Sequence, residues 1–299
     1  MLISSTTITS LTALNSMFRL PLAAMVSLTA FTGVLAADPG APGLLLWSVG
    51  WGIFLLSAAC SVLNQVQERI TDALMTRTRH RPIACGLIEP RIGATIGLLL
   101  GSSGLILLSV GSGQISALLG LATMAWYLLI YTPLKRISSL AVIAGTPCGA
   151  LPPLIGWQAA SGELFSPQIL AIALIMLLWQ VPHFWLLAMP DRDELRLAGF
   201  KVLPATLSNQ KLLHICHFWI MGLSSVTLLL PLLHLLWQPL LQGALAGLAL
   251  TFAIWASFVQ RKVLFVEKAA RKLRFGLHLY LGLVLCILLL QGMLFRYAI

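Results

Sequence analysis

The sequence predicts an all-α integral membrane protein with nine transmembrane helices. Of its 299 residues, 59% are hydrophobic and only 9% are charged, a composition that excludes an ordinary soluble domain. Apolar runs long enough to cross about 30 Å of hydrocarbon recur along the chain. Because backbone polar groups inside lipid must be satisfied within the protein, we expect these runs to be helices. The runs cover residues 20–37, 43–66, 91–109, 114–131, 139–157, 167–189, 212–232, 239–259 and 275–296.

The placement of Lys and Arg predicts the orientation of these helices. All 19 basic residues except Arg19 and Arg296 lie in segments that follow the second, fourth, sixth and eighth runs. Basic loops stay on the cytoplasmic side, so the amino terminus is expected in the cytoplasm and the carboxyl terminus outside. Residues 1–17 would be a short cytoplasmic tail, and residues 18–299 a single transmembrane domain. The expected location is a bacterial plasma (inner) membrane, with the functional site towards the cytoplasmic face.

The net charge and the cysteines exclude several other classes. The charge of +10 mostly reflects the topological bias, so anionic lipid or an anionic substrate is the expected partner, and no nucleic acid. The five cysteines are scattered without a CxxC pair, which indicates neither a disulfide framework nor a zinc site. Four histidines have no metal-ligand pattern around them and are interpreted as structural: His214, His217, His234 and His278.

The segment NQVQERITDALMTRTRHRP, residues 64–82, follows the second run and concentrates charge in a very uncharged chain. If the helix continues, Asn64, Glu68 and Asp72 drift by only about 40° per step and line one face. Two carboxylates one turn apart repel unless a cation lies between them, and Mg²⁺ prefers oxygen ligands. A solvated helix end at the membrane surface would leave the same pattern.

Cationic residues follow this row and the fourth run. Arg77 and Arg81 fall beside the acids, and Lys135 and Arg136 follow Pro133, which should end or kink the helix. The arginine fork matches phosphate oxygens, and lysine supplies a point charge, so these side chains suit a diphosphate group. Anchoring at the cytoplasmic interface is the alternative role.

The fifth and sixth runs contain irregular and polar features. GTPCGALPPLIGW, residues 145–157, predicts a broken helix, which either lines a cavity or reflects a packing kink. Trp179, Gln180 and His183 lie at membrane depth, where polar groups are functional candidates or bond to a neighbouring helix. A second acidic cluster follows, made of Asp191, Asp193 and Glu194. Later in the chain, alternating basic and apolar residues between Gln260 and Arg274 predict an amphipathic interfacial helix.

Two acidic clusters on one membrane face, flanked by Lys and Arg, suit a lipid diphosphate. Metal ions on the acids would neutralise the diphosphate, and the cations would take up the charge that develops as it leaves. We expect Asp72→Asn and Lys135→Ala to abolish activity without unfolding the protein, because both residues fall at polar helix ends. A transporter with broken helices and alternating access is the competing interpretation.

The motifs resemble those of the UbiA-type intramembrane prenyltransferase superfamily, and within it the protohaem IX farnesyltransferase family. The resemblance spans the chain from about Phe18 to the ninth run. It is carried by the residue 64–82 motif, by YTPLKR, by the GTPCGALPPLIGW run, and by WQVPHF with DRDELRLAGFKVLP. LKR, ALPPLIGW and WQxPHF together indicate the haem branch, whereas the first motif alone indicates only the superfamily.

The resemblance implies a UbiA-type nine-helix bundle that transfers farnesyl from farnesyl diphosphate to a vinyl group of haem B, with addition of water. The product would be haem O, for terminal oxidases or for haem A synthase. Prenylation of an aromatic ring is the alternative within the superfamily. The resemblance implies Mg²⁺ as cofactor and places metal binding on Asn64, Glu68, Asp72, Asp191, Asp193 and Glu194. All of these except Asp191 are also candidate catalytic residues. Diphosphate would bind Arg77, Arg81, Lys135, Arg136 and Arg192, with Lys135 also catalytic; Trp179, Gln180 and His183 are candidate haem contacts. Glu68 stands where Asp is commoner, and which acid of the second cluster binds metal is left open.

Overall fold

The computed structural model describes residues 5–261 and 266–298, and in these ranges all regular structure is helical. The helices, in chain order, are α1 (Ser5–Phe18), α2 (Leu20–Ala37), α3 (Gly43–Ala73), α4 (Pro90–Ser112), α5 (Gln114–Ala125), α6 (Thr132–Leu134), α7 (Ala141–Gly145), α8 (Pro147–Ser161), α9 (Pro167–Ala188), α10 (Arg192–Leu197), α11 (Asn209–Leu229), α12 (Pro239–Arg261) and α13 (Val266–Ala298). A π-helical stretch, Trp126–Tyr131, joins α5 to α6.

Among the described residues, eight helices are long and apolar enough to cross a membrane. They coincide with eight of the nine predicted runs, so the all-helical membrane fold is confirmed. The remaining run is interrupted at Thr146, where α7 ends and α8 begins. The predicted break in the fifth run is therefore present. Nine crossings and the orientation of the termini stay predictions.

The break between α7 and α8 leaves backbone carbonyl groups that side chains satisfy. Trp126 donates its indole N–H to the Ala144 carbonyl at 2.7 Å. Gln180 on α9 donates to the Thr146 carbonyl at 3.2 Å. A broken helix is stable within a membrane only when such bonds replace the lost helical ones. The break thus ties the π-helical stretch and α9 to the same point of the bundle.

Small residues bring α2 and α8 into close contact. A Cβ added to Gly33 would lie 2.0 Å from the carbonyl oxygen of Pro153, and one added to Gly156 would lie 2.0 Å from that of Ala30. Only glycine allows two helix backbones to approach so closely. Much of the Gly and Pro content of the fifth run therefore serves packing.

Buried apolar side chains form two main clusters. One joins α2, α3 and α4 around Val34, Val49 and Leu108. The other joins α9, α11, α12 and α13 around residues such as Ile220 and Tyr280. Large apolar side chains also cover much of the outer surface, as expected for a surface in contact with lipid.

Two segments differ from simple expectation. Val266–Arg274 are helical as predicted, but they form the first turns of the long helix α13, and their place at the membrane interface stays a prediction; residues 262–265 lie outside the described ranges. A single helix buries its backbone groups continuously, so no separate surface helix is needed. Most of the predicted tail is helix α1, whose Met17 packs with Val62 and Ile83.

Candidate functional site

The three oxygen-bearing residues of the first motif lie on α3 and are buried. Asn64, Glu68 and Asp72 are 3%, 5% and 1% exposed. Helical spacing aligns them, and α3 continues to Ala73 because the run from Asn64 contains no Gly or Pro. Their burial rules out a solvated helix end, and it requires compensating partners for both carboxylates.

Asp72 is paired with Arg81 from the loop that follows α3. One guanidinium nitrogen of Arg81 lies 2.8 and 2.7 Å from the two carboxylate oxygens. The Thr78 hydroxyl donates to the backbone carbonyl of Asp72 at 2.9 Å, which folds the loop back on the helix end. The loop of the residue 64–82 motif therefore folds back onto the end of α3, and Asp72 and Arg81 of the same motif share one buried site.

Glu68 is paired with Lys135 from the fourth run. The ammonium nitrogen lies 2.6 Å from a carboxylate oxygen of Glu68. It also lies 5.2 Å from the ring centroid of Tyr131 and 5.8 Å from that of Phe200. The backbone N–H of Lys201 donates to the Lys135 carbonyl at 2.9 Å, so three separate segments hold this cation in place.

Asn64 contacts the π-helical stretch. Its amide donates to the Thr132 hydroxyl at 3.2 Å, and that hydroxyl donates to the Tyr127 carbonyl five residues earlier at 2.9 Å. π-Helical turns often occur at functional sites, because they change the direction of the side chains that follow. Here the turn precedes Lys135 and directs the fourth run against α3.

Three cations share this site, and one of them was missed in the sequence. Burial lowers the pKa of Arg81 and of Lys135, and in each case the positive charge of Arg19 lowers it further. Arg19 lies between α1 and α2 with a positive φ of 50°. Arg19 was not among the site residues predicted from the sequence. The helix break before Pro21 is the local signal that could have identified it.

Asp72 lies at the end of α3 and Lys135 directly follows α6, as expected, but both belong to ion pairs shielded from solvent, which corrects the expectation that they can be changed without a loss of stability. Removing either partner leaves a buried charge uncompensated, which typically costs about 3–5 kcal/mol. Asp72→Asn and Lys135→Ala are therefore expected to reduce stability as well as activity.

The second acidic cluster meets the loop after α3. Arg77 lies 2.9 Å from a carboxylate oxygen of Asp191. Glu194 accepts from the Thr76 backbone N–H at 3.0 Å and from its hydroxyl at 2.6 Å. These hydrogen bonds lower the pKa of the Glu194 carboxyl. The two acidic motifs, more than a hundred residues apart, thus lie at the same end of the bundle.

The other predicted site residues are less closely grouped. Asp193 is exposed. Arg192 donates to the side-chain oxygen of Asn209 on α11, and Arg136 is exposed. Neither Arg192 nor Arg136 joins the Glu68 and Asp72 ion pairs within the described residues.

The candidate haem contacts on α9 divide between two faces. Gln180 packs against Gly149 of α8, where an added Cβ would lie 2.5 Å from its amide oxygen. Trp179 and His183 instead face α13, with parallel rings whose centroids are 4.6 Å apart. The structure therefore separates Gln180 from the two aromatic residues.

The donors at the first site fit a hard divalent cation by their chemistry. Asn64, Glu68 and Asp72 supply amide and carboxylate oxygens, the ligand type that Mg²⁺ prefers. Within the described residues, no group of three or more His, Cys, Asp or Glu side chains is assembled as a metal site. Both carboxylates instead contact cations, so a metal ion would have to exchange with Arg81 and Lys135.

Comparisons with known proteins agree with this arrangement. Residues 26–279 match the model of the UbiA prenyltransferase family. The chain is 40% identical over 221 residues to the protoheme IX farnesyltransferase of Oleidesulfovibrio alaskensis, covering 74% of this chain and 78% of the relative. It is 41% identical over 216 residues to that of Geobacter sulfurreducens, covering 72% and 79%.

Solved structures show the same fold. A digeranylgeranylglyceryl phosphate synthase superposes with a TM-score of 0.74 at 16% identity, covering 95% of this chain and 98% of that one. A UbiA homologue from Archaeoglobus fulgidus bound to GPP and Mg²⁺ superposes with a TM-score of 0.68 at 12% identity, covering 92% and 99%.

Proposed function

The chain belongs to the UbiA prenyltransferase family and is a prenyltransferase, and we propose that it transfers the farnesyl group of farnesyl diphosphate to a vinyl group of haem B. Addition of water completes the reaction and gives haem O and diphosphate. The membership supports a prenyltransferase over the transporter interpretation. The identity to protoheme IX farnesyltransferases supports haem as the acceptor.

One observation carries the proposal for the diphosphate. Two buried carboxylates are paired with cations, the buried Arg81 and the partly buried Lys135, and the charge of Arg19 lowers the pKa of both cations. Such pairs are ready to exchange partners when a metal diphosphate arrives. The carboxylates would turn to Mg²⁺ together with Asn64, and the cations would turn to the phosphate oxygens.

The second acidic cluster completes the proposed binding site. Arg77 and Thr76 hold Asp191 and Glu194 beside the loop that carries Arg81. These acids, with Asp193, would provide the remaining oxygen ligands. Arg77 is 52% exposed, so it can move from Asp191 to an incoming phosphate at little cost.

Each group has a defined role in the proposed transfer. Bound Mg²⁺ would neutralise the diphosphate and make it a better leaving group. Lys135 and Arg81, once they have turned from their carboxylates to the phosphate oxygens, would stabilise the negative charge that develops on the departing oxygen. The ring of Tyr131 lies beside Lys135, and the ring of Tyr127 lies 5.5 Å from that of Tyr131 between centroids. The two rings would provide π faces that exclude water from an allylic cation.

The bond changes balance without a redox step. The C–O bond between farnesyl C1 and the diphosphate breaks, and C1 bonds to the terminal carbon of the vinyl group. Water then adds to the cation left on the inner vinyl carbon, and one proton is released to solvent. The product carries a hydroxyethylfarnesyl side chain.

The setting of the reaction forms part of the same proposal. The site would face the cytoplasm from a bacterial plasma membrane, because the basic loops predict that side as cytoplasmic. Haem O would pass to terminal oxidase assembly or to conversion into haem A.

Product analysis tests the proposal directly. Purified protein in nanodiscs is incubated with haem B, farnesyl diphosphate and Mg²⁺. The porphyrins are then separated by chromatography, and their masses are measured by mass spectrometry. We expect a Mg²⁺-dependent haem heavier by one farnesyl group plus one hydroxyl group. Asp72→Asn should abolish it, whereas the matched control Glu89→Gln, an exposed acid beyond the same loop, should not. Unchanged haem together with prenylated 4-hydroxybenzoate would refute haem as the acceptor and leave the family assignment intact.

A further inference from the structure

Helices α9 and α13 meet at a cluster of three ring side chains. The rings of Trp179 and His183 stack in parallel, and the ring of His278 stands at 83° to that of His183 with centroids 4.6 Å apart. The Trp179 indole N–H donates to the Leu277 carbonyl at 2.8 Å, which fixes the stack against α13. Two histidines from helices distant in sequence thus lie in contact at membrane depth.

The hydrogen bond of His278 determines its tautomer. Its Nδ1 lies 2.7 Å from the Arg274 carbonyl oxygen, which can only accept, so Nδ1 carries the hydrogen. In the neutral ring, Nε2 therefore presents a lone pair. Imidazoles that bind metals commonly have this arrangement, in which a backbone carbonyl orients the ring and raises its basicity. The ring of His278 is itself exposed, so a ligand can approach it.

His183 forms the inner wall of the cluster. Its Nδ1 is buried, and it has no hydrogen-bond partner within the described residues. A buried unpaired nitrogen is costly, and a histidine with only a packing role could be replaced by an apolar residue at no such cost. The cluster therefore joins a buried imidazole without a partner among the described residues to an exposed one, His278, whose Nε2 is available to a ligand.

Cations lie on the same side of α13 as His278, nearer the end of α13 that is expected in the cytoplasm. Arg271, Arg274 and His278 are spaced by three and four residues, so they form one stripe along the helix. Neither arginine has an ion-pair partner among the described residues. Unpaired arginines beside apolar surface favour an anionic ligand.

We propose that Nε2 of His278 binds the iron of the acceptor haem, with its ring edge against His183 and Trp179 and its carboxylates towards Arg274 and Arg271. Imidazole is a common axial ligand of haem iron, and arginine pairs with carboxylates through two parallel hydrogen bonds. This inference rests on the proposed function, and it replaces the expectation that His278 is only structural.

Iron spectroscopy in the absence of farnesyl diphosphate tests the assignment. The full-length protein in nanodiscs is loaded with haem B, reduced, and examined by resonance Raman for the iron–imidazole stretching band. We expect the band in the unmodified protein and its loss in His278→Ala and His278→Gln. Added imidazole should restore the band in His278→Gly, which shows that the variant is folded.

His214 provides a matched control. Its Nδ1 makes the same contact, 2.8 Å from the carbonyl of Gln210 four residues earlier, and its ring is also exposed. It lies on α11, outside the ring cluster. We expect His214→Ala to retain both the band and the haem affinity of the unmodified protein.

The outcomes separate this inference from the proposed function. A band that persists in His278→Ala, or that is absent from the unmodified protein, would overturn the assignment of His278, even if haem O is still formed. A band lost in His214→Ala as well would also overturn it. Failure to farnesylate haem, with prenylation of a phenol instead, would overturn the proposed function.

Discussion

The ion pair between Glu68 and Lys135 offers the most informative test of the site. The two atoms are 2.6 Å apart, and the side chains are only 6% and 20% exposed. At an effective dielectric constant of about 20, their gross attraction is roughly 6 kcal/mol. Desolvation offsets much of this energy, so the pair as a whole contributes little net stability, whereas a single unpaired member is costly.

A double-mutant cycle distinguishes these two effects. Lys135 remains partly exposed to solvent. We therefore expect Lys135→Met or Glu68→Gln alone to lower the free energy of unfolding by about 3 kcal/mol, the lower end of the range for a broken buried pair. In a chain of this size that lowers the Tm by roughly 6 °C. The double variant removes both charges and should lose only about 1 kcal/mol, which gives a coupling energy well above that of independent sites.

The assay combines stability and activity. Thermal unfolding in detergent is monitored through tryptophan fluorescence. Arg136→Gln, a change at the adjacent exposed cation, is the control and should leave the Tm unchanged. The double variant should be stable yet inactive, because it lacks one proposed metal ligand, Glu68, and one proposed phosphate contact, Lys135. Additive losses of stability would refute the buried ion pair. Substantial farnesyl transfer by the double variant would refute its role at the diphosphate.

Three further predictions follow from other contacts. Gly33→Ala places a Cβ 2.0 Å from the Pro153 carbonyl oxygen and should cost about 1–3 kcal/mol by overpacking, seen as a lower Tm, whereas Gly282→Ala, with open space around it, should not lower the Tm. An unchanged Tm for Gly33→Ala would contradict the close approach of α2 and α8. Arg77→Gln breaks a half-exposed ion pair and should cost less than about 1 kcal/mol, yet weaken farnesyl diphosphate binding measured by calorimetry; equal affinity would exclude Arg77 from the site. Hydrogen bonds lower the pKa of Glu194 from its ordinary value of 4.5. Its contact with Thr76 should therefore contribute its full stabilisation above pH 4.5 and lose it as the pH falls through the lowered pKa. Proteolysis of the loop after α3 should then increase only below pH 4.5, and an increase already near neutral pH would contradict this contact.

Much of the architecture could be predicted from local sequence. Apolar runs of membrane length determine where helices cross, because a helix is the only open segment that satisfies its backbone within lipid. The alignment of Asn64, Glu68 and Asp72 follows from helical periodicity, and it required no knowledge of other helices. Pro147 and its neighbouring glycines likewise predicted the interruption of the fifth run.

Only the tertiary structure decided which charges meet. Glu68 pairs with Lys135 and Asp191 with Arg77 because the fold brings helix ends and loops from distant parts of the chain together, and sequence spacing contains no measure of that proximity. The same holds for Arg19, whose charge reaches Lys135 across the bundle, and for His278 against His183. Local periodicity thus determined the helices and the face of each motif, and the packing of distant helices determined the chemistry available where those faces meet.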